Sequence, residues 1–234
     1  WDRNKHVIKK FEPPKHWKRF MSMDWGSAKP FSIGWWCIVP DEYDHGKDTQ
    51  AENLHGERVI LPRGAIVRYR EWYGNKKDQR NPNTGLKLTA EEVAFGINSR
   101  EKNEPKNEFG RPRISYRVLD PSAFRVDGGP SFAERMGKKP YYVHFRKADN
   151  ARVSKKGAMG GWDTVRQRLK GDLEHRSMMY FMDNCTDAIR TLPMLQHDEI
   201  NIEDVDTEGE DHAPDEIRYA CMSRPFAPSN LNLP

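Results

Sequence analysis

A chain of 234 residues carries 39 Lys and Arg against 35 Asp and Glu, a net charge of +4, with 36% apolar and 32% charged residues. That length can bury one real core, and a single α/β domain of this size is ordinary; the low apolar share predicts a modest core under large polar loops. No apolar run approaches the roughly 20 residues that span a bilayer, and Cys37, Cys185 and Cys221, odd in number and without Cys-x-x-Cys spacing, read as reduced, mostly buried thiols of a cytosolic protein rather than a disulfide or zinc framework.

Residues 1–18 are basic and aromatic, contain Pro13-Pro14, and read as a linker or arm; the start at Trp1-Asp2-Arg3, without initiator Met or signal peptide, suggests a piece of something longer. Strands are predicted over 19–24 and 31–39. The second is apolar on both faces, as in a covered central sheet. A polar loop over 40–57 leads to a third strand, Ala65–Tyr73. Thr89-Ala90-Glu91-Glu92 is a capping box opening a helix with Ala90, Val93, Ala94 and Ile97 on one face. A strand over 114–120, a short helix near 131–136 and a strand over Tyr141–Arg146 follow. Trp162, Val165 and Leu169 mark an amphipathic helix of about three turns. Met178–Met182 is a short strand, Thr186–Leu192 a helix stopped at Pro193, Pro214–Met222 the last helix, and 225–234 a tail. Residues 74–88 and 101–113 read as exposed loops, Arg111 and Arg113 either contacting phosphate or simply solvated. Early strands, a helix, then alternating strands and helices predict a mixed sheet with helices on its faces.

The charge is unevenly spread. Residues 198–216 hold ten acids and no Lys or Arg, so 39 basic groups face 25 acids in the remainder, a body of +14. Such a body suits a polyanionic partner. Residues 198–210 read as a solvated, self-repelling loop. The longest basic stretch, from Arg146 to Gly157, runs into the Trp162 helix; Arg152, Lys155, Lys156, Arg166 and Arg168 are the candidates for tracking phosphates without reading bases.

Three aspartates stand at element boundaries: Asp24 closing Phe20-Met21-Ser22-Met23-Asp24, Asp120 closing the strand before Pro121-Ser122, and Asp215 in the first turn of the last helix. Any one of them alone is as readily a turn-former, its side chain bonding its own backbone. Together they can hold two divalent cations through oxygen. Two readings of Asp211 stand, a cap of the last helix or a further ligand. Likewise His212 either orients water or phosphate, or is a half-exposed loop histidine. Gly26 either admits nucleic-acid backbone or is a plain turn glycine.

Four segments, in order, resemble the C-terminal nuclease domain of the large terminase subunit of tailed bacteriophages: Met23-Asp24-Trp25-Gly26; Leu119-Asp120-Pro121-Ser122-Ala123-Phe124; Asn184-Cys185-Thr186-Asp187-Ala188-Ile189-Arg190-Thr191-Leu192-Pro193; and Asp211-His212-Ala213-Pro214-Asp215-Glu216-Ile217-Arg218-Tyr219-Ala220. The resemblance spans about residues 19–224. It implies an α/β, RNase H-like fold, a mixed central sheet flanked by helices on both faces. It also implies a metal-dependent endonuclease that cuts double-stranded DNA during viral genome packaging with little sequence specificity. Catalysis would fall to Asp24, Asp120, Asp215 and His212, with Asp24, Asp120, Asp215 and Asp211 around two cations, Mg²⁺ or Mn²⁺. The implied partners are double-stranded DNA, the terminase ATPase domain, the small terminase subunit and the portal, in the cytoplasm of the bacterial host and with no membrane. No Gly-x-x-x-x-Gly-Lys-[Ser/Thr], zinc-spaced Cys/His cluster or Gly-x-Ser-x-Gly occurs, so ATP hydrolysis is not expected of these residues. Two rival classes remain: a junction resolvase or transposase-like nuclease of the same fold, and a DNA-docking module without catalysis.

Overall fold

The computed structural model describes residues 1–40, 51–76, 83–206 and 209–227. In chain order the elements are α1 (Arg3–His6), β1 (Val7–Ile8), β2 (Lys18–Asp24), β3 (Ser32–Ile38), β4 (Ala51–Glu52), β5 (Arg58–Val59), β6 (Ile66–Tyr73) and α2 (Ala90–Arg100). Then come β7 (Ile114–Leu119), α3 (Phe132–Gly137), β8 (Arg146–Lys147), α4 (Gly161–Lys170), β9 (Met179–Met182), α5 (Thr186–Thr191) and α6 (His212–Met222). Seven strands form one mixed sheet in the order β1-β9-β6-β3-β2-β7-β8, and β4 pairs with β5 separately. β2–β3 and β3–β6 are antiparallel; β2–β7, β7–β8, β6–β9 and β1–β9 are parallel.

The side-chain period of two sorts the central strands between two apolar layers. Met21, Met23, Ile33, Trp35, Cys37 and Val67 pack with Val93, Ala94 and Ile97 of α2 and Met136 of α3. Phe20, Trp36, Ile38 and Ile66 face the other way, against Val165 of α4, Ala188 of α5, and Ala213, Ile217 and Ala220 of α6. Helices thus cover both faces of the sheet, as the two-sided apolar run at 31–39 predicts. The Thr89 capping box forms as read, the Thr89 hydroxyl accepting from the Glu92 amide at 3.2 Å and Glu92 accepting from the Thr89 amide at 2.7 Å. Cys37, Cys185 and Cys221 are buried free thiols.

Three expectations are corrected. Residues 1–18 are not wholly an arm: β1 joins the sheet edge in parallel with β9, Val7 opposite Phe181 and Ile8 opposite Met182, because two fully buried apolar residues repay joining the core. Tyr141–Arg146 is no strand, since Tyr142 takes a positive φ of 54° and the Tyr141, Tyr142 and Val143 amides bond back to Lys138 and Met136 around the end of α3. Only Arg146–Lys147 pairs, with Val118 and Leu119. The acidic segment 198–210 is exposed over 199–203, as read, but it does not simply repel itself: Asp204 accepts from Arg152 Nε at 2.8 Å, and Glu210 accepts from Arg190 and from the Tyr73 hydroxyl. Its residues 207–208 lie outside the described residues, as do 41–50 of the expected polar loop, 77–82 of the exposed loop at 74–88, and 228–234 of the tail.

Between the sheet and α6 lies a fully buried ionic knot. Arg68 on β6 donates to the Glu216 carboxylate, and neither side chain has any exposed surface. Glu216 also accepts from the Ser22 hydroxyl and, at 3.0 Å, from Trp36 Nε1. Burial pushes the Glu216 carboxyl upward while Arg68 pulls it back. Gly34 is the residue that makes room, because a Cβ there would strike the Glu216 carboxylate and Trp36 Nε1.

Removing one partner of a buried pair strands the other charge, at about 3–5 kcal/mol. Glu216→Leu is therefore expected to lose stability on that scale in urea unfolding. Glu216→Leu combined with Arg68→Met is expected to regain most of it; a double variant no better than the single would refute the stranded-charge account.

Candidate active site

Asp24 is the last residue of β2, and Asp120 directly follows β7, the neighbouring parallel strand. Met23 stands opposite Leu119, and the Asp120 amide donates to Met23 O at 3.0 Å, so the two acids leave the carboxyl ends of adjacent strands side by side. The Asp120 carboxylate accepts from the Ser122 amide at 3.0 Å and from the Ser122 hydroxyl, capping the helical turn Pro121–Phe124. The turn-former reading is thus met as well, without taking the residue away from Asp24.

The helix α6 packs across β2 and β3 and brings the remaining acids over the strand ends. Asp215 lies in its first turn and accepts from Arg218 Nε at 3.0 Å and from one Arg152 terminal nitrogen at 3.1 and 3.3 Å. Asp211 occupies the cap position, but its side chain makes no capping bond and is buried, so it is not held there as a cap. His212 begins the helix and is only 8% exposed, which removes the loop-histidine reading. Its Nδ1 shares a hydrogen bond with Asp24 Oδ2 at 3.1 Å, and its buried Nε2 has no hydrogen-bond partner.

The electrostatics follow from this crowding. Burial, then the charges of Asp215, Asp120 and Asp211, push the Asp24 carboxyl well above its ordinary range. Burial and Asp215 raise Asp211 as well. Burial holds His212 below its usual value, against the pull of Asp211. Four acids within one another's field are a costly arrangement for a protein to keep without positive charge among them. The donors are all carboxylate oxygens, the chemistry that hard divalent cations take. Among the described residues no three His, Cys, Asp or Glu side chains stand as a finished cation cage. Asp120 is turned to Ser122 and Asp215 to two guanidiniums.

The predicted phosphate contacts divide. Lys155 and Lys156 are exposed, and Arg166 is exposed beside its pair Asp163 at 2.9 Å. Arg168 instead donates to the backbone carbonyls of Gly64, Met178 and Pro225. Arg152 bridges Asp204 and Asp215 and so belongs to the acid site. Arg111 and Arg113 are exposed. Gly26 resolves as a turn glycine, since a Cβ there would stand 2.5 Å from Pro30 O and 2.7 Å from Lys29 O. Arg218 is a further residue of the site, not among the predicted ones. Its spacing three residues after Asp215 on one helix face was the available signal. Gly161, at the start of α4, lets it in, because a Cβ there would lie 2.5 Å from Arg218 Cγ.

Asp24→Asn keeps the side chain's shape and removes its charge. In chelator-containing buffer near neutral pH this variant is expected to melt higher than wild type. The sign follows from linkage: a carboxyl raised in the folded state binds more protons there than unfolded, so wild-type stability rises as pH falls from the raised value toward the ordinary carboxylate range. That rise should shrink in Asp24→Asn. Thermal melts from neutral pH down to about 5 check both, and a lower-melting variant would contradict the crowding.

No protein-family profile and no curated protein matches the sequence. Solved structures do match. The large terminase from a thermophilic bacteriophage superposes with a TM-score of 0.62 at 18% identity, over 97% of this chain and 44% of that one. The same terminase in complex with ADP gives 0.60 at 19%, over 94% and 42%. The nuclease domain of the P22 large terminase gives 0.54 at 16%, over 97% of this chain and 91% of that one. The chain therefore spans less than half the length of the whole terminases, and nearly all of the isolated domain is covered. At such identities the likeness is one of fold: this chain has the α/β, RNase H-like fold of a large-terminase nuclease domain.

Proposed function

We propose that this chain is an endodeoxyribonuclease that cuts double-stranded DNA by metal-dependent phosphodiester hydrolysis. The observation that carries the reading is the convergence of Asp24, Asp120, Asp211 and Asp215 from β2, β7 and α6 at one place, with Asp24 buried and raised by the other three. The fold shared with terminase nuclease domains supports it.

Asp24 and Asp120, on rigid strand ends, would hold two divalent cations, Mg²⁺ or Mn²⁺, with Asp215 and Asp211 adding oxygens from α6. Bound there, such cations supply an activated water and a stabilised leaving oxygen. His212, through Nδ1, fixes the rotamer of Asp24. Lys155, Lys156 and Arg166 offer exposed positive charge for the phosphate backbone. On this reading the reaction is the cleavage of viral DNA during packaging in the host cytoplasm. The chain works there beside an ATPase domain, a small terminase subunit and a portal.

Supercoiled plasmid with Mn²⁺ is expected to be nicked and linearised, and EDTA to abolish this. Asp24→Ala, Asp120→Ala and Asp215→Asn should each lose on the order of 10³-fold in rate, the scale for removing a major electrostatic stabiliser. Faster cutting of branched than linear duplex would favour the resolvase alternative. Chelator-insensitive binding with no cleavage would leave only a docking module.

Affinity for duplex DNA should fall steeply with salt and hardly vary between unrelated sequences, because phosphate contacts release counterions and carry no sequence information. Filter binding across salt concentrations reads the slope. A shallow slope together with one strongly preferred sequence would refute non-specific backbone tracking.

A further inference from the structure

Asp215 is occupied by protein cations, and the two are held very differently. Arg218 is 1% exposed; it lies over the rings of Tyr219 and Trp162 at 4.7 and 5.5 Å and donates from Nη1 to Ala151 O at 3.3 Å. It is built into the core and stays. Arg152 sits in the loop before α4 with about a fifth of its side chain exposed. It bonds Asp215 through Nη1, Asp204 through Nε at 2.8 Å, and Val205 O through Nη2 at 3.2 Å. Asp204 is itself fixed by Trp162 Nε1 at 2.9 Å and by the Val205 amide at 2.8 Å. Arg152 can therefore release Asp215 and remain paired, because its other two partners belong to the tethered acidic segment.

We propose that Arg152 masks Asp215 against divalent cations, and that the acidic segment around Asp204 is the seat which holds the masking guanidinium and retains it when it swings off. The inference rests on the metal-dependent reading above and adds regulation to the same site. It bears on the unfinished cage: the acids are gathered, but Asp215 is turned to two guanidiniums, of which only that of Arg152 is free to leave. It also assigns a purpose to the ion pair between Arg152 and Asp204, which a phosphate-tracking arginine would not need. A duplex backbone arriving at the site brings phosphates that compete for the same guanidinium, so DNA and cation each favour the unmasked state. A masked site binds its ligand with an apparent affinity reduced by the fraction of molecules that are unmasked.

Mn²⁺ binding, read by the loss of the free-ion electron paramagnetic resonance signal without DNA, tests this independently of cleavage. Arg152→Gln is expected to bind Mn²⁺ about 2- to 5-fold more tightly than wild type, the range of a partly exposed ion pair released. Arg152→Lys, whose single ammonium cannot span Asp204 and Asp215 together, should fall between them. Lys9→Gln, which removes a positive charge from the exposed pair with Glu52 at 3.0 Å, should leave Mn²⁺ affinity unchanged. Melting curves recorded for each variant in chelator and with saturating Mn²⁺ give a second measure: the Mn²⁺-induced rise in Tm should be larger for Arg152→Gln, whatever its starting stability. Equal or weaker Mn²⁺ binding by Arg152→Gln, with wild type binding normally, overturns the masking and leaves the metal reading standing. Absence of Mn²⁺ binding in both overturns the two together. Binding by the variant alone supports the mask in its strongest form.

Discussion

The ion pair between Arg68 and Glu216 is the constraint on which the geometry of the acid site depends, and its position explains why. Glu216 is adjacent in sequence to Asp215, and Ser22, its hydroxyl partner, lies two residues before Asp24 on β2. Trp36 brings in β3 and Arg68 brings in β6. One carboxylate therefore ties the acid-bearing helix to three strands, within a residue or two of both acids. An apolar contact would resist separation but tolerate sliding; a hydrogen-bonded charge with no solvent to retreat to tolerates neither. Buried pairs are poor sources of net stability. The value of this one is registry, setting where along β2 the first turn of α6 comes to rest. Gly34 is part of the same device, since the close approach of Glu216 to β3 leaves no volume for a methyl group.

Registry alone would bring four acids together at a cost, and the molecule offsets part of it with guanidiniums. Arg152 and Arg218 each lie 5.5 Å from the Trp162 ring, so one aromatic side chain steadies both cations beside Asp215. Among the described residues Asp24 makes no ion pair with a guanidinium. Arg218 pulls its carboxyl down from a distance, behind burial and the charges of three acids, and burial lowers the pKa of its hydrogen-bond partner His212. The imbalance is directional: Asp215 is paired directly and Asp24 is not. The strand end, rather than the helix, is thus where positive charge from outside is most wanted.

Much of this was legible in the sequence. The runs at 19–24, 31–39, 65–73 and 114–120 read as the strands β2, β3, β6 and β7, and the Thr89 box located α2, because local backbone chemistry decides those elements. Asp24, Asp120 and Asp215 were legible as acids at element ends. What could not be read was long-range. The pairing of Arg68 with a residue 148 positions later left only a charged residue inside an apolar run, and Arg152 read as one of five phosphate-tracking candidates because its partners Asp204 and Asp215 are distant in sequence. Segment Tyr141–Arg146 has strand-like composition, yet its amides found nearer acceptors at the end of α3. The arm at 1–18 is basic and aromatic with Pro13-Pro14, and Val7–Ile8 was too short a signal to show that it completes a sheet edge. The reading of Asp211 as a cap followed a sound local rule, overridden here by the orientation α6 takes on the sheet.

The three cysteines have a practical meaning beyond their place in the core. Cys37 lies in β3, Cys185 just before α5 and Cys221 near the end of α6, and burial raises the pKa of each thiol. Thiolate is the reactive form, so all three are silent towards alkylating reagents while their surroundings stay closed. Alkylation followed by peptide mapping would therefore time the opening of three separate places in a native molecule, with no label added. Cys185 is joined through its Sγ to Arg68 O at 3.4 Å and Cys221 through its Sγ to Met179 Sδ at 3.8 Å. The first reports on the floor beneath the ionic knot, the second on the far end of the helix that carries the acids. If modification at Cys221 outpaces that at Cys37, the helix lifts before the sheet loosens, and the acid site comes apart from the helix side while its strand half is still folded.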